Sequence, residues 1–387
     1  MSRFDKQCRI LTSALPSPPC PGVLLMAAEL GPNENGVRQL VATIGNDARH
    51  DHISRSTGWR SGGSCMRLRR AAKPLALGLA GLVLVAGGVW FYAGGLPRNV
   101  PCSPQSLEAL LRLPVTALHR VDIARMDMLC AQGLPGAEGS DLSASLGELD
   151  RMAARVRGET ERHLYRFQKN PAEFEHSEGF FRMLMLAVVL AEDFGVSYAP
   201  EKIGTAAEAR MDDGFFADAK DVFLQGLTGG RRQGTCSSLP VLQVAIGRRL
   251  GYPLKLVTTR AHLFVRWEDA RERFNIEATG QGVNRFPDDY YRHWPLEITL
   301  ADEAAEGYLQ SLTPSGELAA FLSIRGMCLR EAGRLPEAAE ALAAAARLAP
   351  GRRGYQVMLS SLRAGGVPGS PSKPELKNNT TDRKLTP

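Results

Sequence analysis

The chain has 387 residues, a hydrophobic content of 44% and a formal net charge of +6 at pH 7. This length can bury the core of one large domain or two modest ones, and the small basic excess lacks the alternating aromatic and basic residues of a base-stacking surface, which argues against nucleic acid as a partner. The seven cysteines form no CxxC pair and no metal-ligand spacing, so no structural zinc site is expected, and their odd number leaves at least one thiol outside any intrachain disulfide.

The N-terminal region divides into an irregular stretch and an apolar one. Residues 1–65 show neither a helical nor a strand period and are expected to be disordered or a non-native extension. Residues 74–96 carry no charge, and the segment is long enough for a helix to cross roughly 30 Å of hydrocarbon. Basic residues cluster between Met66 and Lys73, whereas only Arg98 lies close behind, so the positive-inside rule places the N-terminus in the cytoplasm and the main domain on the far side.

Two interpretations of the apolar segment are open. A cleaved signal peptide would end on small residues, and Ala93-Gly94-Gly95 fits such a cut. The segment is long for a signal peptide, which favours an uncleaved, single-pass signal anchor in the inner (cytoplasmic) membrane of a bacterial-type cell, with the main domain in the periplasm. The basic flank also suggests that translation starts at Met66. Residues 74–96 are therefore expected to contact the membrane.

Residues 103–300 are predicted to form an α+β domain with helices first and a small sheet afterwards. The run from Phe180 to Gly195 is strongly apolar, but charges near both its ends leave too short a stretch to span a bilayer, so we expect a buried core helix. Three short runs of β-branched and aromatic residues follow a second apolar helix. Each is predicted to be a strand: 254–259, 262–267 and 273–279.

The C-terminal part is rich in alanine and has a helical period. In residues 317–350, small and apolar side chains fall where a tetratricopeptide repeat places them, and the stretch has that repeat's 34-residue length. With a closing helix at 355–363, the segment 317–363 resembles a tetratricopeptide-type hairpin, which implies a protein partner. An alanine-rich hairpin without a special role gives nearly the same pattern. Residues 365–387 are expected to be a disordered tail.

One cysteine lies where a helix is predicted to start. Glycine and threonine precede Cys236, and two serines and a proline follow it, which are residue types that helix starts favour. A thiol attacks a carbonyl carbon as the thiolate, and the positive end of a helix dipole stabilises that anion. The backbone N–H groups of the same turn can form an oxyanion hole. Cys236 is thus a candidate nucleophile, although a lone cysteine is more often a small buried hydrophobe.

A histidine and an acid are placed to serve this thiol. His262 opens the second predicted strand, and Glu277 lies in the third, on the face that also carries Asn275. If the polar run between the strands turns near Asp269, His262 and Glu277 become cross-strand neighbours. The imidazole would take the thiol proton, and the carboxylate would stabilise the imidazolium. We therefore predict a catalytic triad of Cys236, His262 and Glu277, for which no metal or organic cofactor is required.

The segment 233–282 resembles the catalytic core of the transglutaminase-like superfamily. The shared features are a cysteine at a helix start, an apolar helix ending in a leucine-glycine-x-proline turn, a histidine opening one strand and an acid closing the next. The resemblance implies a papain-like α+β fold with helices packed on a small antiparallel sheet. It also implies that Cys236 is the nucleophile, His262 the base and Glu277 the orienting acid.

The acid departs from the family's pattern. The family normally has aspartate followed by proline, whereas here Glu277 is followed by Ala278. Asn275, on the same face of the strand, is therefore an alternative orienting residue.

The resemblance implies a membrane-anchored cysteine enzyme that attacks an amide and forms an acyl-enzyme. The acyl group would pass to water, as in a peptidase or amidase, or to an amine, as in a transglutaminase. The expected partner is a protein or peptide substrate. The competing hypothesis is a non-catalytic scaffold in which the cleft and the helical hairpin bind a protein at the membrane.

Three further groups of residues have two interpretations each. The pairs Arg231-Arg232 and Arg248-Arg249 could steer an acidic substrate or be solvated helix ends. The polar and aromatic residues of 288–294 could line the cleft or form a short surface helix with an aromatic inner face. Cys102 and Cys130 could form a disulfide in an oxidising compartment, whereas Cys236 must stay reduced to act.

Overall fold

The fold is known from a computed structural model that describes residues 103–202, 214–279 and 283–364. These residues combine helices with two small sheets, which agrees with the predicted α+β class. The predicted segments 1–65, 74–96 and 365–387 lie outside the described residues, as does Cys102. Within the described residues, no helix is both long and apolar enough to cross a bilayer.

Helices account for most of the regular structure in this part of the chain, and the strands are short. The α-helices are α1 (Leu107–Leu111), α2 (Ile123–Ala131), α3 (Leu142–Lys169), α4 (Glu178–Glu192), α5 (Ala219–Val222), α6 (Gln225–Thr228), α7 (Leu239–Arg249), α8 (Asp288–His293), α9 (Leu300–Glu306), α10 (Pro314–Glu331), α11 (Leu335–Leu348) and α12 (Arg353–Arg363). Short 3-10 helices lie at Val115–Arg120, Pro171–Phe174 and Pro200–Lys202. The strands are β1 (Ser197–Tyr198), β2 (Gln233–Gly234), β3 (Leu254–Thr259), β4 (His262–Glu268) and β5 (Arg273–Ile276).

The central helix of the core is α7, which is apolar on all sides. Its residues from Leu239 to Gly247 are buried, and it contacts α2, α3 and α4 on one side and β3 and β4 on the other. A helix that is hydrophobic on all sides is stable only when other elements pack around it. The predicted core helix at Phe180–Gly195 is confirmed as α4, most of whose side chains are buried. The turn that carries Cys236 leads directly into α7, so the packing of this buried helix fixes the position of the turn.

The main sheet is antiparallel, in the order β3-β4-β5, and the predicted strands are confirmed with small changes of length. Strands β3 and β4 form a tight hairpin in which Thr259 pairs with His262. Ala261 in this turn has φ 60°, a left-handed conformation that is rare outside glycine. The other sheet pairs β1 and β2 in parallel, just before the cysteine turn.

The C-terminal helices pack on the same core as the sheet. Leu309 N donates to Thr258 O at 2.9 Å, and Leu312 N donates to Leu256 O at 2.8 Å, so the chain runs along the free edge of β3 before α10 begins. Helices α10 and α11 approach closely at Gly326, where a Cβ atom would lie 2.9 Å from Leu342 Cγ. A helical hairpin is therefore present in the region predicted to hold one.

Candidate functional site

Cys236 lies in the turn between β2 and α7 and is a reduced, buried thiol. Helix α7 begins at Leu239, later than predicted from the sequence. The turn nevertheless has helical hydrogen bonding, because Leu239 N donates to Thr235 O at 3.0 Å. The sulfur thus lies in the turn immediately before the N-terminus of a buried helix.

Side chains on both sides of Cys236 fix this turn to one buried carbonyl. The hydroxyls of Thr235 and Ser238 donate to Asp221 O at 2.9 and 3.0 Å, and Thr235 N donates to Ser238 Oγ at 3.1 Å. The Asp221 carboxylate is itself held by Arg231 at 2.6 Å and by Lys202 at 3.3 Å. The backbone that carries the sulfur is therefore hydrogen-bonded to a residue that is itself held by a partly buried ion-pair cluster.

His262 and Glu277 are in direct contact. His262 Nε2 lies 2.8 Å from Glu277 Oε2, and the His262 side chain is fully buried. A buried imidazole and a buried carboxylate at this distance form a charge-assisted hydrogen bond. The structure thus brings together two of the three predicted site residues, and the imidazole also interacts with Cys236.

The contact between them is diagonal, because the hairpin register differs from the predicted one. Val265 pairs with Ile276, and continuing this register puts Glu277 opposite Phe264, two residues from His262. The turn is centred one residue later than expected because Asp269 Oδ1 accepts hydrogen bonds from two backbone N–H groups of the loop. A glutamate is long enough to span such a diagonal.

The Glu277 carboxylate has hydrogen-bond donors on both oxygens. Oε1 accepts from the backbone N of Thr279 at 3.0 Å and from the Thr279 hydroxyl. Oε2 faces His262 and also accepts from Tyr291 Oη at 3.3 Å. Neither Thr279 nor Tyr291 was predicted as a site residue. The only signals in the sequence were that Thr279 shares a strand face with Glu277 and that Tyr291 lies in the polar and aromatic run 288–294.

Asn275, the alternative orienting residue, is engaged elsewhere. Its Oδ1 accepts from Arg266 Nε at 2.7 Å, and its Nδ2 donates to Phe286 O at 3.0 Å and to Asp288 Oδ1 at 2.7 Å. It belongs to a network centred on the buried Arg266. Glu277 is thus the acid that contacts the imidazole.

The electrostatics of the site favour an ionised pair. Burial lowers the pKa of the His262 imidazole, but the charge of Glu277 and hydrogen bonds with Cys236 and Glu277 raise it, and the resulting pKa is about 9 against an ordinary 6.5. Burial raises the pKa of Glu277, yet His262 and Thr279 together hold it below its usual 4.5. Both shifts favour a protonated imidazole and an ionised carboxylate at neutral pH.

The second imidazole nitrogen is the one available to the thiol. His262 Nδ1 is buried, and Glu277 contacts the other ring nitrogen. Because Glu277 occupies Nε2, Nδ1 is the nitrogen left for the interaction with Cys236. Electrostatic coupling is reciprocal, so an imidazolium at His262 favours the thiolate at Cys236.

Helix α8 supplies the aromatic wall of the site. The Trp294 ring meets the His262 ring edge-on with centroids 4.6 Å apart, and the Tyr291 ring lies nearly parallel to it at 6.2 Å. Asp288, at the other end of the helix, pairs with Arg266 at 2.6 Å. Both interpretations of 288–294 therefore hold in part, because this short helix has an aromatic inner face and that face borders the candidate site.

The site is closed to solvent. Cys236 is 3% exposed. Two cavities of about 490 and 390 Å³ lie elsewhere, one against α10 and α11 and the other near Gln225. Within the described residues, no group of three or more His, Cys, Asp or Glu side chains could hold a metal ion.

The two arginine pairs neither line the site nor project freely into solvent. Each of the four makes an ion pair with an acidic side chain: Arg231 with Asp221, Arg232 with Glu148, Arg248 with Glu317, and Arg249 with Asp122 and Asp150. They link separate elements of the fold. Neither substrate steering nor simple solvation describes them.

The other described cysteines provide a contrast to Cys236. Cys130 is a free thiol with no exposed surface, and burial raises its pKa far above the usual value. Burial likewise raises the pKa of Cys328 to about 12. Both thiols are expected to be inert at neutral pH, which makes them internal references for the reactivity of Cys236.

The free energy of unfolding is expected to fall as pH rises from 6.5 towards 9. The pKa of His262 is raised to about 9 in the folded chain, so the protonated imidazole stabilises the fold fully below 6.5 and ceases to do so above 9. This difference corresponds to about 3 kcal/mol. The lowered pKa of Glu277 acts oppositely, because its stabilisation is present above 4.5 and is lost in acid.

Urea unfolding of the full chain in detergent at pH 6.5 and at about pH 9.5 measures this loss. The matched control is His262→Ala, in which the alkaline decline should be much smaller. An equal decline in both proteins would show that other groups cause it.

Comparisons of the chain with protein-family models, with curated proteins and with solved structures found no match.

Proposed function

We propose that the chain is a membrane-anchored, transglutaminase-like cysteine enzyme that acts on amide bonds. One observation carries the proposal: His262 Nε2 lies 2.8 Å from Glu277 Oε2, and the same buried imidazole interacts with Cys236. These residues come from a turn and two neighbouring strands, and an inert cysteine would not need this arrangement. Helices packed on a small antiparallel sheet support the transglutaminase-like assignment of the fold.

In the proposed mechanism, the resting site is a Cys236 thiolate beside a His262 imidazolium, which has taken the thiol proton on Nδ1. The Cys236 sulfur attacks the amide carbonyl carbon, the imidazolium protonates the departing amine, and the C–N bond breaks to leave a thioester. His262 then removes a proton from water or from an acceptor amine, which attacks the thioester; the C–S bond breaks and Cys236 leaves as the thiolate, which restores the ion pair. Glu277 stays ionised throughout and holds the imidazole by its Nε2.

The proposal extends to the cellular setting. Residues 74–96 would anchor the chain in the inner membrane and place the enzyme in the periplasm, where the substrate would be a protein or peptide. The helical hairpin of α10 and α11, proposed as tetratricopeptide-like, would bind a protein partner.

A non-catalytic scaffold is the second candidate, and the burial of the sulfur favours it. With Cys236 only 3% exposed, a substrate carbonyl reaches the thiol only if the site opens. Reactivity of the thiol separates the two functions.

Limited alkylation of the full chain by iodoacetamide at about pH 7, with the modified cysteine identified by mass spectrometry, tests the proposal. Among the described cysteines, Cys236 is expected to react first, at least about tenfold faster than Cys130 and Cys328, whose thiols are un-ionised at that pH. Acylation of Cys236 by p-nitrophenyl acetate, detected as a gain in mass, would show that the thiol also forms an acyl-enzyme. Equal or undetectable reaction at Cys236 would favour the scaffold.

A further inference from the structure

The glutamate of the candidate triad is harder to hold in place than an aspartate would be. Glu277 has one more rotatable bond than aspartate, and it reaches His262 along a diagonal of the hairpin. A free glutamate at this position would sample rotamers in which its carboxylate misses the imidazole. Thr279 fixes Oε1 with two hydrogen bonds. The orientation of Oε2, the oxygen that faces His262, needs a separate explanation.

The hydroxyl of Tyr291 is placed to fix Oε2. Tyr291 Oη donates to Glu277 Oε2 at 3.3 Å, on the same oxygen that contacts His262 Nε2. Burial and the nearby Glu277 charge raise the pKa of the Tyr291 hydroxyl well above its usual value, so it remains a neutral donor. A neutral hydrogen-bond donor limits the rotation of the Glu277 carboxylate. Because it carries no charge, it does not replace the imidazolium as the partner of that carboxylate.

Tyr291 itself is rigidly held. Its side chain is fully buried, and its ring stacks on Phe264 with centroids 3.8 Å apart and planes 6° apart. The backbone O of Tyr291 accepts from Thr259 Oγ1 at 2.8 Å. Its helix is tied to β4 by the Arg266–Asp288 pair at 2.6 Å. The hydroxyl therefore has a fixed position relative to the strand that carries His262.

We infer that Tyr291 is a positioning residue of this site, whose hydroxyl keeps the Glu277 carboxylate on His262. The inference rests on the proposed function and deepens it. A purely structural role for Tyr291 would depend on its ring, which stacks on Phe264. Tyr291→Phe keeps the ring and removes only the hydroxyl, so the two roles can be separated.

The test is the rate of Cys236 alkylation by iodoacetamide at about pH 6.5 in the full chain. Tyr291→Phe is expected to slow it about five- to tenfold, the typical net effect of one lost hydrogen bond, whereas Tyr290→Phe, on the same helix, should change it less than about twofold. In a Glu277→Gln background, Tyr291→Phe should add little, because the carboxylate it positions is gone. Equal slowing in both backgrounds would overturn the inference.

The pH dependence of Cys236 alkylation gives a second test, because a loss of packing alone would not shift it. Iodoacetate is an anion, so its reaction with Cys236 should slow when His262 loses its proton, and this alkaline limb should shift to lower pH in Tyr291→Phe. An unshifted limb would also overturn the inference. If the wild-type thiol shows no selective reaction at all, the proposed function fails first. If it reacts selectively and Tyr291→Phe behaves as wild type, only the role of Tyr291 fails.

Discussion

Replacing His262 by alanine is expected to slow alkylation of Cys236 at about pH 6.5 by about 100-fold. Under the proposed function, the imidazolium beside the sulfur keeps the thiol of the wild type ionised. Without it, a thiol of ordinary pKa, about 8.5, is roughly 1% ionised at that pH. The measurement is the second-order rate constant for iodoacetamide at Cys236, followed by mass spectrometry of the full chain.

The control for this effect is His293→Ala, which removes an exposed imidazole from α8, the helix that borders the site. Its rate constant should stay within about twofold of wild type. Circular dichroism of His262→Ala should show native helix content, so that slow alkylation is not caused by unfolding. An unchanged rate constant in a folded His262→Ala chain would show that His262 does not act as the base.

Loss of Arg266 is expected to destabilise the fold by about 3 kcal/mol, because it breaks a buried ion-pair network. Arg266 is 1% exposed and donates to Asn275, to the carbonyl of Leu309 and to Asp288 at 2.6 to 2.8 Å. In Arg266→Met, these buried acceptors lose their donor while the volume of the side chain is largely kept. Urea unfolding of the full chain in detergent measures the change.

The Asp288 carboxylate, which pairs with Arg266, also provides a matched control. Arg273 also pairs with Asp288, at 3.0 Å, but its side chain is 48% exposed. Arg273→Met is therefore expected to cost less than about 1 kcal/mol. Similar costs for the two variants would show that the network around Arg266 is not the hydrogen-bonded core that its burial indicates.

Local features of the fold could be predicted because short-range patterns determine them. Gly251 ends α7 with φ 78°, the left-handed conformation expected of a glycine cap. The β-branched runs at 254–259 and 262–267 form β3 and nearly all of β4. Strand alternation also put His262 and Glu277 on a common face, which is enough to bring them within reach of each other.

The features that were missed depend on specific hydrogen bonds and tertiary contacts that the alternation of apolar and polar residues does not encode. The hairpin register depends on how the Asp269 side chain caps its own loop, a choice that strand alternation does not determine, because a shift of two residues keeps every side chain on its face. The clamp on the cysteine turn uses the backbone carbonyl of Asp221, which no side-chain pattern reveals. Tyr291 reaches Glu277 only because α8 folds back across the sheet.

The pH dependence of Cys236 alkylation by iodoacetamide tests most directly whether this cysteine and His262 form an ion pair. If they do, the rate constant should already be near its plateau at about pH 6 and change less than about threefold up to pH 8. An isolated thiol would instead gain about tenfold in rate for each pH unit below its pKa. Such a tenfold rise per unit at Cys236, matching that of a model thiol, would contradict the account.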